Sequence, residues 1–282
     1  KRADLVLVLG ACFNERTSYV WDKKLLAGKK LIQIDNNAQQ LQKVFCADLA
    51  LQADLGAWLR ELDAAIQQQG IPARAPVDVA GFITAAQQEI DDAGERIFNR
   101  QFDHVRAFYR WLEQQFPEGL VMFDDNIVFA QNFYRVSGRD RFCPNTGISS
   151  LGHAIPAAIG AACATGKPLF AMIGDGGFHM CGMEIMTAVN YGFPLNVVLF
   201  NNDTMGLIRK NQHQHYNDRF IDCDFANPDY AQFAQSFGIS HARIENEQDL
   251  PGLADNMDFH NGINLIEIII DQDAYPNYSS RR

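Results

Sequence analysis

Seven apolar runs of strand length constrain the fold of this 282-residue chain more than any other feature. They lie at residues 4–10, 29–35, 47–54, 119–125, 168–176, 195–203 and 263–271. Continuous apolar runs of this length are typical of parallel strands that are covered on both faces. Since stretches of helix length separate many of them, the order predicts an α/β protein with open, mostly parallel sheets flanked by helices.

Proline and glycine positions divide the chain into two predicted units. Residues 70–78 contain Pro72 and Pro76 and indicate a linker. Helices are predicted at about 55–69, 80–96, 101–115 and 182–191, and another from Asn227 as N-cap, through Pro228, to Phe237. We therefore predict one domain at 1–70, a linker and helical connection at 71–100, and a second domain at 101–282.

Composition limits which classes of partner and which cellular compartment are expected for the chain. The net charge is −10 with no block of lysine or arginine, which argues against a nucleic acid or an anionic membrane surface as partner. No apolar run approaches the 18 residues of a membrane span. The six cysteines form no CxxC pair, which favours a reducing compartment and a cytoplasmic location. Because the chain begins with Lys1 and soon enters a strand, we expect it to be part of something longer.

Polar side chains follow two of these runs at the point where each run ends. Asp175 stands between glycines at the end of one, and Asn201 and Asn202 end the next. Asn202 follows Asp175 by 27 positions, which is enough for a loop, a helix and a return strand. In open α/β sheets, ligands bind beyond the carboxyl ends of the strands, so we expect these side chains to meet there.

The residue types at this edge suit a magnesium-bridged diphosphate. Mg²⁺ prefers oxygen ligands and usually completes its shell with phosphate and water. The glycines allow the backbone to approach a phosphate, and the amides that open the next helix favour its charge. Gly-Asp-Gly or Asn-Asn alone is a common turn or loop, and the helix-long interval between them is what favours a site. The glycines concerned are Gly174, Gly176 and Gly177.

These motifs resemble the signature of thiamine diphosphate enzymes. Gly-Asp-Gly at 174–176 and Asn-Asn at 201–202 have the spacing of that signature. The text GHAIPAAIGAACATGKPLFAMIGDGGFHM, with NNDTMGLIRKNQHQHY and NPDYAQFAQSFGI, is similar to the acetohydroxyacid synthase, pyruvate oxidase and benzoylformate decarboxylase group. The opening ADLVLVLG and KKLIQID resemble the end of that group's central domain. The resemblance implies a thiamine diphosphate-binding fold preceded by part of a Rossmann-like central domain.

The resemblance implies roles for particular residues. The Asp175 carboxylate, the Asn202 side chain and the Thr204 carbonyl would hold Mg²⁺. Leu151 would force the bent shape of thiamine diphosphate, and the Ser149 carbonyl would receive its amine. The remaining residues would line the cofactor's diphosphate: Gly174, Gly176, Gly177, Phe178, Met205, Gly206 and Leu207.

Histidines are the remaining candidates for proton transfer. His179 follows the diphosphate turn and His153 lies in the segment expected beneath the cofactor. His213 and His215 are placed in a polar loop that could reach a substrate. Structural or solvent-facing roles are the alternative for all of them, and a zinc site at 213 and 215 lacks a third ligand in the sequence.

The resemblance implies decarboxylation of a 2-keto acid followed by carboligation, as in acetolactate synthase, but several positions depart from the pattern. Asp124-Asp125-Asn126-Ile127-Val128 replaces Asp-x-Gly-Gln-His, Ile148-Ser149-Ser150 replaces a glycine-rich segment, and Asn211 replaces a tryptophan of the substrate entrance. These departures leave open a simple decarboxylase, an oxidase or a non-catalytic diphosphate-binding module. Binding of FAD is also left open.

The resemblance further implies a partner. In this family an activating glutamate lies on a separate pyrimidine-binding domain, which precedes the central one and is not found in this sequence. The chain is therefore expected to hold half of an active site, whose other half comes from a longer chain or a separate subunit. We expect a homo-oligomer with an apolar surface toward that domain.

Overall fold

The computed structural model describes residues 3–14, 17–18, 20–71, 78–145, 149–165 and 167–278. It separates into two compact units that divide between residues 84 and 85. Most of the predicted linker, 72–77, lies outside the described residues. The domain limits set at 70 and 100 therefore stay a prediction.

The first unit is a small parallel sheet. Strands β1 (Leu5–Leu9), β2 (Lys30–Asp35) and β3 (Leu49–Gln52) pair in the order β1-β2-β3. The Asp54 carboxylate caps helix α1 (Leu55–Gln68), accepting the N–H of Ala57 at 2.8 Å. Helix α2 (Val79–Ile97) runs through the boundary between the two units.

The second unit is built on a six-stranded, wholly parallel sheet in the order β5-β4-β6-β7-β9-β8. Its strands are β4 (Val121–Asp124), β5 (Arg141–Pro144), β6 (Leu169–Gly174), β7 (Leu195–Asn201), β8 (Ser240–Ile244) and β9 (Ile263–Ile269). Its helices are α3 (Asp103–Gln115), α4 (Val128–Phe133), α5 (Ala154–Ala162), α6 (Asp175–Cys181), α7 (Ile185–Tyr191), α8 (Gly206–Tyr216), α9 (Tyr230–Phe237) and α10 (Pro251–Asn256).

Side chains along the central strands point alternately to the two faces of this sheet, and an apolar core lies on each face. Phe170, Val198 and Ile266 pack on one face with side chains of α3, α4 and α10. Ala171 and Val197 pack on the other face with side chains of α5, α7 and α9. Strands that are covered on both faces have continuous apolar sequences, which is why these strands could be predicted from the sequence.

The predicted fold class is confirmed, since both sheets are parallel and flanked by helices. The structure adds β5 and β8, which the sequence reading did not identify. Both lie at an edge of the large sheet, and their residues are mostly exposed or half-buried, so neither shows an apolar run. Among the described residues, no helix is both long and apolar enough to cross a bilayer.

Two local predictions were wrong. His213 and His215 lie in α8 and not in a loop, because the helix begins at Gly206 and continues to Tyr216. The N-cap of α9 is Asp229 and not Asn227, since the Asp229 side chain accepts the N–H of Gln232 at 3.0 Å. The Asn227 side chain is engaged elsewhere, as described below.

Replacing Ile266 by alanine tests the placement of the core. Ile266 is fully buried at the centre of β9, so Ile266→Ala should lower the free energy of unfolding by about 2–5 kcal/mol. Ile221→Ala is the matched control, since 69% of that side chain is exposed and the change should be within about 0.5 kcal/mol. Urea unfolding measures both, and equal losses would contradict the assigned core.

Candidate functional site

The Asp175 carboxylate lies buried where β6 ends and α6 begins, with 2% of the residue exposed. Its Oδ1 accepts the N–H of Gly176 at 2.9 Å. Its Oδ2 accepts the N–H of Asn202 at 3.0 Å and the side-chain amide of Asn227 at 3.0 Å. Burial raises the pKa of Asp175, and these hydrogen bonds act in the opposite direction.

Parallel pairing of β6 with β7 brings the two predicted motifs together. Gly174 is the register partner of Phe200, so the chain after β7 passes directly beside Asp175. The side-chain amide of Asn202 then folds over Gly206, where an added Cβ would lie 2.7 Å from the Asn202 Nδ2. A side chain at position 206 would therefore require the Asn202 amide to shift.

Thr204 is held by contacts with residues 223 and 224. It forms an antiparallel bridge with Asp224, and its hydroxyl lies 2.8 Å from both the Cys223 carbonyl and the Asp224 carboxylate. Asp224 pairs with Arg209 of α8, whose guanidinium also pairs with Asp273 at 2.9 Å. The backbone at Thr204 is thus held by a bridge and an ion-pair network.

The residues predicted to contact the diphosphate lie at the start of α6 and at the start of α8. The Met205 sulfur lies against Gly176. A cavity of about 70 Å³ beside Asn202, Gly206 and Leu207 is otherwise lined by residues of α4 and of the segment 270–276. Phe178 differs from the others because its ring is buried and packs edge-on against Tyr230 and Phe233. Only the backbone of Phe178 is therefore placed for contact with a ligand.

The segment predicted beneath the cofactor is a turn that leads into α5. Ser149 adopts a left-handed conformation at φ 55°, and Leu151 keeps 39% of its surface exposed. An ordinary core leucine would be buried, so the exposure of Leu151 agrees better with a ligand-facing role. Ile148 lies outside the described residues.

Asp125 is a site residue that the sequence reading noted only as a departure from the family pattern. It is 1% exposed, and its carboxylate accepts the N–H groups of Gly152 and His153 at 2.8 Å and of Ala154 at 3.3 Å. An added Cβ at Gly177 would lie 2.5 Å from its Oδ2. Asp125 therefore joins the 149–153 turn to the diphosphate turn. A polar residue at the end of the run 119–125, directly after β4, is the signal that could have identified it.

The four histidines occupy different environments. His153 and His179 are exposed at the predicted site, and the His179 ring lies 4.9 Å from that of Phe225. His213 bonds Asp218 at 2.5 Å and stacks on Tyr275, while His215 is exposed later in the same helix. Over the described residues, no group of three or more His, Cys, Asp or Glu side chains could hold a metal.

The site nevertheless fits a divalent cation that is held mainly by amide and carbonyl oxygens. Within the described part of the chain, the hydrogen-bond partners of the buried Asp175 carboxylate are N–H groups without formal charge. An unpaired buried carboxylate is costly, and a bound cation would offset that cost. Asn202 and Thr204 lie on the adjoining segment, where a shared ion could contact them.

Comparison with known proteins matches both units. The model described as thiamine pyrophosphate enzyme, C-terminal TPP binding domain, matches residues 125–268, and that of the central domain matches residues 1–62. The chain is 25% identical to the mitochondrial acetolactate synthase of Schizosaccharomyces pombe, covering 96% of the chain and 43% of that protein. It is 24% identical to the acetolactate synthase isozyme 2 large subunit of Escherichia coli, covering 96% and 48%.

A third relative has a name that describes a different activity. The sulfoacetaldehyde acetyltransferase of Alcaligenes xylosoxydans is 32% identical over 151 residues, which are 52% of the chain and 25% of that protein. The chain thus spans less than half the length of these relatives.

Replacing Asp125 by asparagine tests its role in holding the turn to the sheet. The amide keeps one acceptor and turns an NH₂ group toward N–H donors, so the free energy of unfolding should fall by about 1–3 kcal/mol. Asp229→Asn is the matched control, because asparagine caps a helix as well as aspartate does. Thermal unfolding measures both variants, and an unchanged midpoint for Asp125→Asn would contradict the assigned role.

Proposed function

The chain belongs to the thiamine pyrophosphate enzyme family, and from this we propose that it forms the cofactor-binding part of an enzyme that decarboxylates a 2-keto acid and transfers the product to an acceptor. The observation that carries the proposal is the hydrogen bond from the Asn202 N–H to Oδ2 of Asp175 at the adjoining ends of β6 and β7, two residues before Thr204. Coverage of 96% of the chain by acetolactate synthases supports the carboligating reaction.

Mg²⁺ is the proposed metal. The Asp175 carboxylate, the Asn202 side-chain oxygen and the Thr204 carbonyl would hold it, and diphosphate oxygens would complete its shell. The N–H groups that open α6, together with the segment from Met205 to Leu207, would face the diphosphate. FAD is not part of this proposal, because no motif of the chain argues for it.

The protein is proposed to contribute to the reaction by positioning the cofactor and by its electrostatic environment. Thiamine diphosphate, when bound, supplies the electron sink for decarboxylation. Leu151 would support its bent shape, and the Ser149 carbonyl, held in the turn that Asp125 anchors, would accept a hydrogen bond from its amine. His153 and His179 are exposed at this edge and are proposed to move protons to or from the substrate.

A partner domain is proposed to complete the site. Three large apolar side chains on and after α6 are strongly exposed: Met180 at 60%, Met183 at 67% and Tyr191 at 72%. Such a surface is typical of a protein interface. We assign it to a pyrimidine-binding domain within a homo-oligomer, supplied by a longer form of the chain or by a separate subunit. A cytoplasmic location is proposed from the scattered positions of the six cysteines, which form no CxxC pair.

Thermal unfolding with thiamine diphosphate, with and without Mg²⁺, tests the cofactor site. At about 100 times its dissociation constant, a ligand of the native state should add about 2.7 kcal/mol of stability. We expect this gain only when both components are present, and we expect Asp175→Ala to abolish it. Asp255→Ala, an exposed change on α10, should keep it. A gain that survives in Asp175→Ala would contradict the assigned metal ligand.

Mixing the chain with a pyrimidine-binding domain from an acetolactate synthase tests the reaction. The mixture should consume pyruvate and form acetolactate, whereas the chain alone should not. Met183→Lys should weaken the association, because it places a charge in the proposed apolar interface. Release of acetaldehyde would indicate a simple decarboxylase, and acetate formed with oxygen uptake an oxidase. A verified complex that leaves pyruvate intact would indicate a non-catalytic module.

A further inference from the structure

The side-chain amide of Asn227 lies at the centre of an oxygen cluster that the proposed metal ligands do not account for. Its Nδ2 lies 3.0 Å from Asp175 Oδ2, 2.7 Å from Asn201 Oδ1 and 2.9 Å from Asp203 Oδ1. An NH₂ group has two hydrogens, so it bonds two of these three oxygens at a time. Asn227 is thus the donor that three converging acceptors share.

The orientation of the Asn227 amide is set by Glu267 of β9, through the side chain of Asn201. Glu267 is 2% exposed, and its Oε1 accepts the Asn201 side-chain N–H at 2.6 Å. Burial alone would raise the pKa of Glu267, but hydrogen bonds from His241 and Asn201 and the charge of Arg243 outweigh it and keep the pKa below the usual range. An ionised Glu267 accepts only, so Asn201 turns its NH₂ toward Glu267 and its oxygen toward Asn227.

A second contact fixes the same amide from its other end. The Tyr230 hydroxyl lies 3.0 Å from Asn227 Oδ1 and donates to it. The Asn227 oxygen is therefore occupied by Tyr230, and its NH₂ group faces Asn201, Asp175 and Asp203. Asn227 donates toward the carboxylates at both ends, directly to Asp175 and also to Asn201, which in turn donates to Glu267.

We propose that Asn227 is a positioning residue for the metal site and that Asn201 and Glu267 orient it. The proposal rests on the function proposed above, in which Asp175 holds Mg²⁺. Asn227 does not itself hold the ion. It supplies one of two N–H groups that hold Oδ2 of Asp175, while Gly176 holds Oδ1. Residues that orient a metal ligand in this way typically contribute a factor of about 10–100 in metal affinity.

The role also accounts for the unexpected start of α9. Asn227 precedes Pro228 and has the sequence of a helix cap, yet Asp229 performs the capping. The two residues have different partners. Asp229 accepts the N–H of Gln232 in the helix, and the Asn227 amide is left available to Asp175. A purely structural cap would not need a second polar residue at this point.

Binding of Mn²⁺ in the presence of thiamine diphosphate, followed by electron paramagnetic resonance, tests the proposal without an activity assay. Asn227→Asp replaces a donor by an acceptor of the same shape, and its dissociation constant for Mn²⁺ should rise at least tenfold. Asn227→Ala removes the donor without adding charge and should cause a smaller rise. Glu267→Gln should also weaken binding, because the orientation of Asn201 is then no longer imposed by an ionised group.

Two controls separate positioning from stability and from net charge. Ile266→Ala lowers stability but should leave the Mn²⁺ dissociation constant of the folded chain unchanged. Asn99→Asp makes the same change of charge at an exposed turn where the side chain bonds Gln101, and it too should bind normally. If Asn227→Asp binds within twofold of the unsubstituted chain while Asp175→Ala does not bind, this inference is overturned and the metal site stands. If the unsubstituted chain does not bind Mn²⁺, the proposed metal site fails and this inference fails with it.

Discussion

The desolvated carboxylate of Asp175 is the constraint on which the rest of the site depends. Burial opposes its ionisation, and the N–H groups that bond it offset only part of that cost. Its surroundings are therefore arranged to supply donors from three separate segments, at the start of α6, after β7 and before α9. A carboxylate held in this way is matched to a bound cation, which would supply the missing charge.

The parallel sheet is what makes this arrangement possible. Every strand of the large sheet ends at the same edge, and the central pair β6 and β7 places two chain reversals side by side. Apolar layers on both faces hold these strands rigidly, so the polar atoms at their ends are positioned by the core. Strand β9, which lies between β7 and β8, contributes Glu267, through which the core also orients the more distant Asn227.

Prediction from the sequence succeeded where a local pattern and the long-range geometry coincide. The strand after residue 168, Asp175 and the asparagines at 201 and 202 were identified because a buried strand leaves an apolar run and a fixed helical interval returns the chain to its neighbour. It failed for β5 and β8, whose edge positions leave no such run. It also failed for His213, because a polar segment can be a helix when the residues around it pack.

The sequence by itself determined the α/β class, the order of the central strands' motifs and the family. Composition and spacing are sufficient for these, since periodicity and motif intervals are properties of the chain. Only the tertiary structure decided that Asp125 joins two turns and that Asn227 serves Asp175 while Asp229 caps α9. A side chain's partner depends on which segments the fold brings within about 3 Å of it, and hydrogen bonds between residues 27 and 52 positions apart leave no local trace in the sequence.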